Sequence, residues 1–390
     1  MRDLHQVEMK GKKVLLRVDF NLPQNDDGSI SDDTKMTAAL PTIKYLIQAG
    51  AKVIIMSHLG RPKGQPNAKY SLRPMAKYLS KLLGQVVPLA PGCVEPEVVA
   101  MIAQMQDQDV LLLENVRFYP EEEKNDPEFA KKLAALGDIF VNDAFGTAHR
   151  AHVSTAGLAD YLPTYGGFLM AREVEVLENT LNASQSPRLS ILGGAKVKDK
   201  LGLISNLLEK MDVILIGGGM ANTFIAAEGH SIGKSICEPE LFDEANRLRQ
   251  KAETLQKQLL IPLDVVVAKT LDGQAETRVV TVNALEADDI IGDIGPETVK
   301  LYASKIQDAS TIIWNGPVGI FELSAFSNGT ARLAYAIAES SGTSIIGGGD
   351  SAAAVQGLDI ADKITHISTG GGATLEFLEG IELPGVKVCR

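Results

Sequence analysis

Residues 13–21, KVLLRVDFN, carry the pattern that decides the fold. An apolar run from Lys13 to Val18 ends at polar Asp19 and Asn21, and a segment with helical periodicity follows. Nearly continuous apolar runs of this length indicate strands that are buried on both faces. The same order of strand, turn and helix recurs along the chain, and that alternation is typical of parallel sheets. The sequence therefore predicts the α/β class.

The predicted strands form one group in each half of the chain. They are Lys13–Val18, Lys52–Met56, Val110–Leu113 and Ile139–Val141, then Leu189–Leu192, Val213–Ile216, Asp264–Ala268, Thr311–Trp314 and Ser344–Ile346. Because 390 residues exceed what one hydrophobic core usually supports, we predict two open parallel sheets in two domains. A helical pattern after Gly166 and Gly167 indicates the domain junction. Leu271–Pro296 is predicted to be a peripheral excursion of the second domain.

Composition disfavours several classes of function. A formal net charge of −11 repels polyanions, so we expect no nucleic-acid or anionic-membrane partner. No apolar run approaches the ~20 residues that span a bilayer, and the first residues lack a signal-peptide core, which predicts a cytoplasmic protein.

Cys93, Cys237 and Cys389 are scattered, as expected of reduced structural thiols. His149 and His152 lie three residues apart without a third ligand nearby, which disfavours a metal site.

Polar and basic side chains follow the predicted strands of the first half. Ligands bind outside the carboxyl ends of parallel strands, so these side chains are candidates for a binding site. Guanidinium groups match phosphate and carboxylate oxygens, and the cluster predicts a pocket for a small, highly anionic metabolite. For any single arginine, a solvated loop position is an equal alternative. The candidates are Asp19, Asn21, His58, Arg61, Arg117, His149 and Arg150.

Glycine clusters follow the predicted strands of the second half, at residues 193–194, 217–219, 347–349 and 370–372. Glycine lets backbone N–H groups approach phosphate oxygens, and a following helix N-terminus adds positive partial charge. Any one cluster is better explained as a tight turn, but four in one domain predict a nucleotide phosphate site. Lys196 and Lys200 are four residues apart, one helical turn, which would let both ammonium groups face the transferring phosphate.

Asp350 lies inside one of these glycine clusters. Phosphate would repel a carboxylate there unless a cation intervened, so we predict Mg²⁺ on the nucleotide; a helix N-cap is the alternative role. Two other nucleotide motifs fail. Asn222 replaces the third glycine of a dinucleotide fingerprint in 217–222, and residues 229–235 have three residues instead of four between the P-loop glycines.

Nine segments, in this order, resemble the phosphoglycerate kinase family. They are VDFNLP (18–23), SHLGRP (57–62), LLLENVRF (111–118), VNDAFGTAHRAH (141–152), LGGAKVKDK (192–200), IGGGMANTF (216–224), WNGPVGIFE (314–322), IIGGGDSAAA (345–354) and ISTGGGATLEFLEG (367–380). The resemblance runs from about Val14 to the C-terminus.

The resemblance implies two Rossmann-like open parallel-sheet domains that face a cleft and are joined by an interdomain helix. Residues 1–167, with the tail 373–390, would bind 3-phosphoglycerate or 1,3-bisphosphoglycerate. Residues 168–182 would form the helix, and residues 183–372 would bind ATP or ADP with Mg²⁺. The implied activity is reversible transfer of the acyl phosphate of 1,3-bisphosphoglycerate to ADP in glycolysis and gluconeogenesis, by a hinge-bending monomer.

The resemblance also implies a role for each matching residue. Substrate binding falls to Asp19, Asn21, His58, Arg61, Arg117 and Arg150. Nucleotide binding falls to Lys200, Gly217, Gly218, Asn315, Glu322, Gly348, Gly349, Asp350 and Ser351, with Asp350 as the metal ligand. Catalysis falls to Lys35, Lys196, Lys200, Gly371 and Gly372.

One position departs from the family pattern. The family has a catalytic arginine in a segment like DDTRIRAALP, whereas this chain has Lys35 within DDTKMTAALP, residues 32–41. Lysine keeps the positive charge but loses the planar guanidinium fork. Lys35 alone makes one alternative conceivable, a non-catalytic, nucleotide-responsive binding protein of the same fold. A second alternative is another small-carboxylate or acyl-phosphate kinase, against which the set Asp19, Asn21, Arg61, Arg117 and Arg150 argues.

Overall fold

A computed structural model describes residues 1–25, 27–272 and 274–390, which divide into two units. The first unit is Met1–Glu175 together with Glu382–Arg390, and the second is Val176–Ile381. Within the described ranges, no helix has the length and apolar character needed to cross a membrane.

The strands and helices of the first unit follow in chain order. They are β1 (Lys13–Arg17), α1 (Thr34–Gln48), β2 (Lys52–Met56), α2 (Arg73–Leu83), α3 (Pro96–Gln104), β3 (Val110–Leu112), α4 (Pro120–Glu123), α5 (Pro127–Ala134), β4 (Ile139–Asn142) and β5 (Thr164–Gly166). Helix α6 (Phe168–Leu181) begins in the first unit and ends in the second.

The elements of the second unit continue the order. They are β6 (Arg188–Leu192), α7 (Leu201–Lys210), β7 (Val213–Ile216), α8 (Gly218–Ala227), α9 (Phe242–Thr254), β8 (Gln258–Leu260), β9 (Asp264–Ala268), β10 (Arg278–Thr281), β11 (Ile290–Ile294), α10 (Pro296–Asp308), β12 (Thr311–Asn315), α11 (Asn328–Glu339), β13 (Thr343–Gly347), α12 (Gly349–Gly357), β14 (His366–Ile367) and α13 (Gly372–Leu378). A last helix, α14 (Pro384–Lys387), belongs to the first unit.

A parallel sheet organises the first unit, and its described strands lie in the order β3-β2-β1-β4-β5. Alternate residues of β1 enter separate cores: Val14 and Leu16 pack on one side and Leu15 on the other. Both faces of the strand are buried, which is why successive residues are apolar. The strands are parallel, so the loops after β1, β2, β3 and β4 share the carboxyl edge of the sheet.

A second parallel sheet organises the second unit, with its described strands in the order β14-β13-β12-β6-β7-β8. Strand β12 lies inside this sheet, and all five of its residues are buried. The two parallel sheets, each flanked by helices, confirm the predicted α/β class.

The prediction that Asp264–Ala268 joins a parallel sheet is wrong. This strand, β9, pairs antiparallel with β10 and β11 in a separate sheet. The predicted excursion Leu271–Pro296 supplies both partners. Antiparallel neighbours need only short connections, so the residues that follow β9 can fold back directly onto it. A short apolar run has the same pattern in either setting, which is why the sequence did not distinguish them.

The unit boundaries lie near the predicted domain boundaries but do not coincide with them. Helix α6 is divided after Glu175, whereas the sequence predicts boundaries at residues 167 and 182. Residues 373–381, predicted as part of the returning tail, stay with the second unit, where α13 packs against α7. The assignment of functional domains remains a prediction.

The returning tail starts at Glu382 and is fixed to the first unit by backbone hydrogen bonds. The N–H of Gly385 donates to the carbonyl of Ala148 at 2.8 Å. The N–H of Arg2 donates to the carbonyl of Cys389 at 3.1 Å. Residues from both ends of the chain therefore contribute to one unit.

Asp143, directly after β4, is a buried carboxyl group whose charge affects stability. Its Oδ1 accepts the N–H of Met170 at 3.0 Å, and its Oδ2 makes no hydrogen bond to the described residues. Burial raises the pKa of Asp143 to about 6, against the lowering effect of the Thr42 hydroxyl and of backbone N–H groups. The folded state thus keeps a proton that the unfolded chain loses near pH 4, so stability falls as pH rises from about 4 to about 6.

Asp143→Asn is expected to remove this pH dependence, because the amide is neutral and keeps the Oδ1 acceptor. Relative to the parent protein, the variant should gain up to roughly 3 kcal/mol at pH 7 and little at pH 4. Denaturant unfolding at both pH values measures the difference, with exposed Asp107→Asn as the matched control. A gain of the same size at both pH values would contradict the assignment.

Candidate functional site

Asp19 and Lys35 form an ion pair at the carboxyl edge of the first sheet. Asp19 follows β1, Lys35 lies in the first turn of α1, and Lys35 Nζ is 2.8 Å from Asp19 Oδ2. Burial opposes ionisation of Asp19, but the charge of Lys35, its hydrogen bond to the carboxylate and the charge of Arg17 help to lower the pKa of Asp19 to about 2. Asp19 is therefore a carboxylate at neutral pH, and Lys35 is held at this edge as a half-exposed cation.

Asn21 and Gly60 connect the loops after β1 and β2. Asn21 Oδ1 accepts the N–H of Gly60 at 2.9 Å. Gly60 has φ +60°, and a Cβ there would overlap the Tyr70 ring, so the position requires glycine. Arg61 follows this turn and is exposed. The hydrogen bond between Gly60 and Asn21 therefore brings the backbone next to Arg61 close to the loop after β1.

Arg117 is a buried cation with unused hydrogen-bond donors. Its Nη1 donates to the carbonyl of Gly60 at 2.9 Å, and its Nε lies 3.4 Å from Glu123 Oε1. Its Nε and Nη2 make no hydrogen bond within the described residues. Burial, with the nearby charges of Arg17 and Arg150, lowers the pKa of Arg117 to about 10. Buried donors without acceptors are costly, so this arrangement indicates a site for an anion.

Arg150 and two histidines complete the basic edge. Arg150 is half-buried, and its Nε donates to His149 Nε2 at 3.2 Å. Burial and the charges of Arg117 and Arg150 lower the pKa of His152 to about 4, so this ring is neutral at pH 7. Across the described ranges, neither histidine belongs to a group of three potential metal ligands.

His58 is buried against Arg17, a residue that sequence reasoning missed. Arg17 Nη2 donates to His58 Nδ1 at 3.1 Å, and burial lowers the pKa of His58 well below its usual value. The signal for Arg17 was present: it is a charged residue inside KVLLRV, a run whose neighbours are buried on both faces. A charge is rarely buried without a partner, so its presence indicates a polar network.

In the second unit, a backbone turn brings the first two glycine clusters together. Gly217 is the N-cap of α8, and Gly218 has φ +66°. A Cβ on Gly218 would lie 2.8 Å from the backbone nitrogen of Gly194, so only glycine permits this approach. This turn starts the ten-residue helix α8 at the end of β7, and the N–H groups of Gly217, Gly218 and Met220 donate to Leu192 O, Val318 O and Gly194 O.

Lys200 is fixed at the carboxyl ends of β6 and β12. Its Nζ donates to Gly193 O at 2.6 Å, to Asn315 O at 3.0 Å and to Asn315 Oδ1 at 2.6 Å. Asn315 Nδ2 in turn donates to Gly347 O at 2.8 Å. The prediction that Lys196 and Lys200 share a helical turn is wrong, because Lys198–Lys200 form a 3₁₀ turn before α7 and Lys196 is exposed outside it.

The third glycine cluster starts α12. Gly348 is the N-cap, so the alternative role of Asp350 as N-cap is wrong; Asp350 lies in the first turn and is exposed. Its carboxylate makes no hydrogen bond or ion pair in the part of the chain that the structure describes, which leaves both oxygens for a hard cation such as Mg²⁺. Ser351 Oγ accepts the N–H of Gly316 at 2.6 Å and so links this turn to the loop after β12.

A cavity of about 250 Å³ lies beside these turns. Its polar lining includes Glu322 and Asp350, and Gly218 contributes backbone. Sequence reasoning missed its apolar lining, part of which, Leu271 and Ile291, comes from the segment regarded as peripheral. The lining also includes Ile225, Ile236, Val265 and Val318. An apolar slot bordered by carboxylates and a helix N-terminus suits a base, a sugar and phosphates.

Gly371 and Gly372 begin α13, with Gly371 as its N-cap. A Cβ on Gly371 would meet no described atom within 4 Å, so the backbone here faces open space. Among the described residues, the N–H groups of Gly371 and Gly372 have no hydrogen-bond acceptor, whereas that of Ala373 donates to Gly370 O at 3.0 Å.

A family model described as phosphoglycerate kinase matches residues 4–381. The chain belongs to the phosphoglycerate kinase family. It is 55% identical over 389 residues to a phosphoglycerate kinase of Dictyoglomus turgidum, covering 100% of this chain and 98% of the relative. It is 51% identical over 386 residues to one of Pelotomaculum thermopropionicum, covering 99% and 98%.

Solved structures of the same family are also similar. The phosphoglycerate kinase from Coxiella burnetii has a TM-score of 0.91 at 43% identity, covering 99% of this chain and 98% of that one. The phosphoglycerate kinase from Pyrococcus horikoshii has a TM-score of 0.84 at 37% identity, covering 100% and 98%. The roles of the individual site residues in this chain remain predictions.

Proposed function

We propose that this chain catalyses the family reaction, the reversible transfer of the acyl phosphate of 1,3-bisphosphoglycerate to ADP, with 3-phosphoglycerate and ATP as products. The observation that carries the proposal is Arg117, a buried guanidinium whose Nη2 has no hydrogen-bond acceptor among the described residues and whose Nε has only an ion-pair contact with Glu123 at 3.4 Å. Family membership identifies the anion as a phosphoglycerate. A cytoplasmic location and a monomeric state are parts of the same proposal.

The first unit would bind the glycerate. Arg61, Arg117 and Arg150 would surround its phosphate, because guanidinium groups bind phosphate oxygens in pairs. His58 would donate one further hydrogen bond. Asp19 and Asn21 would contact the hydroxyl and carboxyl end; both are already oriented, Asp19 by Lys35 and Asn21 by Gly60.

The second unit would bind the nucleotide. The apolar cavity would hold the base, and Glu322 at its border would accept hydrogen bonds from the ribose. The phosphates would lie at the N-termini of α8 and α12, where Gly348 and Gly349 would offer backbone N–H groups and Ser351 a hydroxyl. Gly217 and Gly218 would shape the turn before α8, because their own N–H groups already donate to Leu192 O and Val318 O. Asn315 would act by holding Lys200 in place. Asp350 would hold Mg²⁺, which would neutralise charge on the nucleotide phosphates when bound.

The chemistry needs no covalent intermediate on the protein. In phosphoryl transfer, catalysis comes mainly from positioning the reactants and from stabilising charge on the transferred group. Lys35 in the first unit and Lys196 and Lys200 in the second would supply positive charge. The N–H groups at Gly371 and Gly372 would donate to the phosphoryl oxygens as they become more negative.

A coupled assay with 3-phosphoglycerate and MgATP tests the proposal, with product 1,3-bisphosphoglycerate consumed by an excess of a coupling enzyme. Turnover with 3-phosphoglycerate supports the family reaction. Turnover only with another small carboxylate would indicate a different acyl-phosphate kinase. Binding of MgATP without turnover of any acid would indicate the non-catalytic alternative.

Lys35→Arg is expected to raise the turnover number roughly tenfold to a hundredfold. One of the three N–H groups of Lys35 donates to Asp19 at 2.8 Å and the others have no fixed direction, whereas a planar guanidinium could keep that partner and direct a second N–H at the transferring phosphate. The benefit arises in the transition state, so the Michaelis constants should change much less. Steady-state kinetics measures this, with Lys35→Met as the charge-loss control. Unchanged or lower turnover in Lys35→Arg would show that the site is adapted to lysine.

Asp350→Asn is expected to weaken Mg·ADP binding by about tenfold or more and to leave 3-phosphoglycerate binding unchanged. The amide removes the negative charge while keeping the shape of the first turn of α12. Calorimetry with ADP, with and without Mg²⁺, measures the effect; exposed Asp362→Asn is the matched control. If the variant binds Mg·ADP as the parent protein does, Asp350 is not the metal ligand.

A further inference from the structure

A buried chain of polar groups lies behind His58 in the first unit. It starts at Arg17, the last residue of β1, which is 1% exposed. Arg17 Nη2 donates to His58 Nδ1 at 3.1 Å, and Arg17 Nε donates to Ser154 Oγ at 2.8 Å. The remaining Nη1 donates to the carbonyl of Val18. The guanidinium is thus fixed from three directions, and one of its contacts is the candidate substrate-binding histidine.

Ser154 continues the chain to a fully buried carboxylate, Glu122 on α4. Ser154 Oγ donates to Glu122 Oε1 at 2.5 Å, and the N–H of Ser154 donates to Glu122 Oε2 at 3.0 Å. Among the described residues, no direct ion pair joins Glu122 to Arg17. The Glu122 carboxylate is therefore linked to Arg17 through the Ser154 hydroxyl. Ser154 alone donates to both carboxylate oxygens.

The protons of this hydrogen-bond network can be assigned in only one way. A guanidinium has N–H groups and no acceptor, so His58 Nδ1 must be the unprotonated nitrogen. Neutral His58 then carries its proton on Nε2. Ser154 has a single hydroxyl proton, which goes to Glu122 because the oxygen already accepts from Arg17. Burial, which has the largest effect, and the neighbouring charges of Arg17, Arg117 and Lys35 also favour the neutral imidazole, against the opposing charge of Asp19.

We propose that Glu122 and Ser154 are positioning residues for the glycerate site: through Arg17 they hold His58 as the Nε2–H tautomer, with that N–H available to the substrate. In the described part of the chain, His58 Nε2 has no hydrogen-bond partner of its own. A neutral donor adds a directed hydrogen bond without further charge at an edge that already holds Lys35 and Arg117. The inference rests on the proposed role of His58 in binding the glycerate.

The tautomer itself is the first test and requires no substitution at the network. Long-range ¹H–¹⁵N correlation spectra of the ¹⁵N-histidine-labelled full chain report which ring nitrogen carries the proton, and His58→Gln serves only to assign the signal. We expect neutral His58 with the proton on Nε2 at pH 7. A proton on Nδ1, or a doubly protonated ring, would overturn the proposal.

Substitutions supply the second test. Ser154→Ala should raise the KM for 3-phosphoglycerate roughly tenfold to a hundredfold, leave the KM for MgATP unchanged and convert His58 to a mixture of tautomers. Glu122→Gln keeps the shape and one acceptor, so it should show a smaller change in the same direction. Ser80→Ala is the matched control, since Ser80 is also hydrogen-bonded within the first unit but lies on α2 with Ala76 and Val87 as partners.

The outcomes separate this proposal from the proposed function. If Ser154→Ala and Ser80→Ala show the same KM for 3-phosphoglycerate and the same His58 spectrum, Glu122 and Ser154 have no positioning role, whatever the activity of the parent protein. If the parent protein fails to turn over 3-phosphoglycerate, the proposed function fails, and the tautomer of His58 still reports on the network. If Ser154→Ala does not fold, Glu122→Gln and the parent spectrum decide.

Discussion

Arg117→Met is expected to bind 3-phosphoglycerate about a hundredfold or more weakly than the parent protein, and to unfold no more readily. Removing one partner of a buried, hydrogen-bonded charge pair typically costs about 2–5 kcal/mol of binding. Without ligand, however, Arg117 Nε and Nη2 make no hydrogen bond to the described residues, and Nε has only the 3.4 Å ion-pair contact with Glu123. Burial and repulsion from Arg17 and Arg150 oppose the charge of Arg117, and Glu123 and Glu122 offset this only in part. The side chain is therefore placed for an anion at some expense of stability.

Two measurements on one variant test this prediction. Calorimetric titration with 3-phosphoglycerate gives the affinity, and thermal unfolding without ligand gives the stability. Arg73→Met is the matched control, because Arg73 is an exposed arginine on α2. A large loss of stability with unchanged affinity would mean that Arg117 is a structural residue. If Arg117→Met and Arg73→Met bind 3-phosphoglycerate with equal affinity, Arg117 does not belong to the binding site.

Lys200→Met is expected to lower the turnover number by about a hundredfold to a thousandfold, because it removes a fixed positive charge that would stabilise the transferred phosphoryl group. The three acceptors at Nζ hold the ammonium at one point, so its charge is placed before the reaction begins. The same acceptors lose their donor in the variant, so a loss of stability of about 1–3 kcal/mol is expected as well. Rates must therefore be measured on folded protein at saturating substrates.

The pH dependence gives Lys200 a second, independent readout. Burial lowers the pKa of Lys200 to about 8, against the opposing charges of Asp350 and Asp199. The ammonium form is thus lost as pH rises through about 8, and kcat/KM for MgATP should fall above that value, since kcat/KM reports groups of the free enzyme. Lys200→Arg stays charged and should flatten this decline. Exposed Lys363→Met is the control. A parent profile that remains flat to pH 10 would contradict the assignment.

The sequence was most informative about burial. Runs such as Lys52–Met56 and Val213–Ile216 coincide with β2 and β7, because a strand covered on both faces needs apolar residues at each position. Pairing was less predictable. The strand Asp264–Ala268 has the same apolar character, yet its neighbours are antiparallel, since pairing depends on which segment reaches the strand.

For the site, sequence patterns found side chains next to strands but not those behind them. Arg61 and Arg117 lie in the loops that follow β2 and β3, whereas Glu122 and Ser154 lie 32 residues apart and meet only in the folded unit. Spacing also misled for Lys196 and Lys200, because a four-residue separation implies a shared face only inside an α-helix. Both the contact between Glu122 and Ser154 and the placement of Lys196 and Lys200 depend on tertiary structure, which a local sequence pattern does not contain.

The tail Glu382–Arg390 has a consequence for the order in which the protein can be built. During translation, all of residues 176–381 leave the ribosome before this tail does, so the second unit can complete its own contacts first. The first unit, although encoded earlier, lacks the hydrogen bond from Gly385 to Ala148 until the tail emerges. Its basic edge includes Arg150, two residues beyond Ala148. The half of the protein that is made first is therefore the half that is finished last.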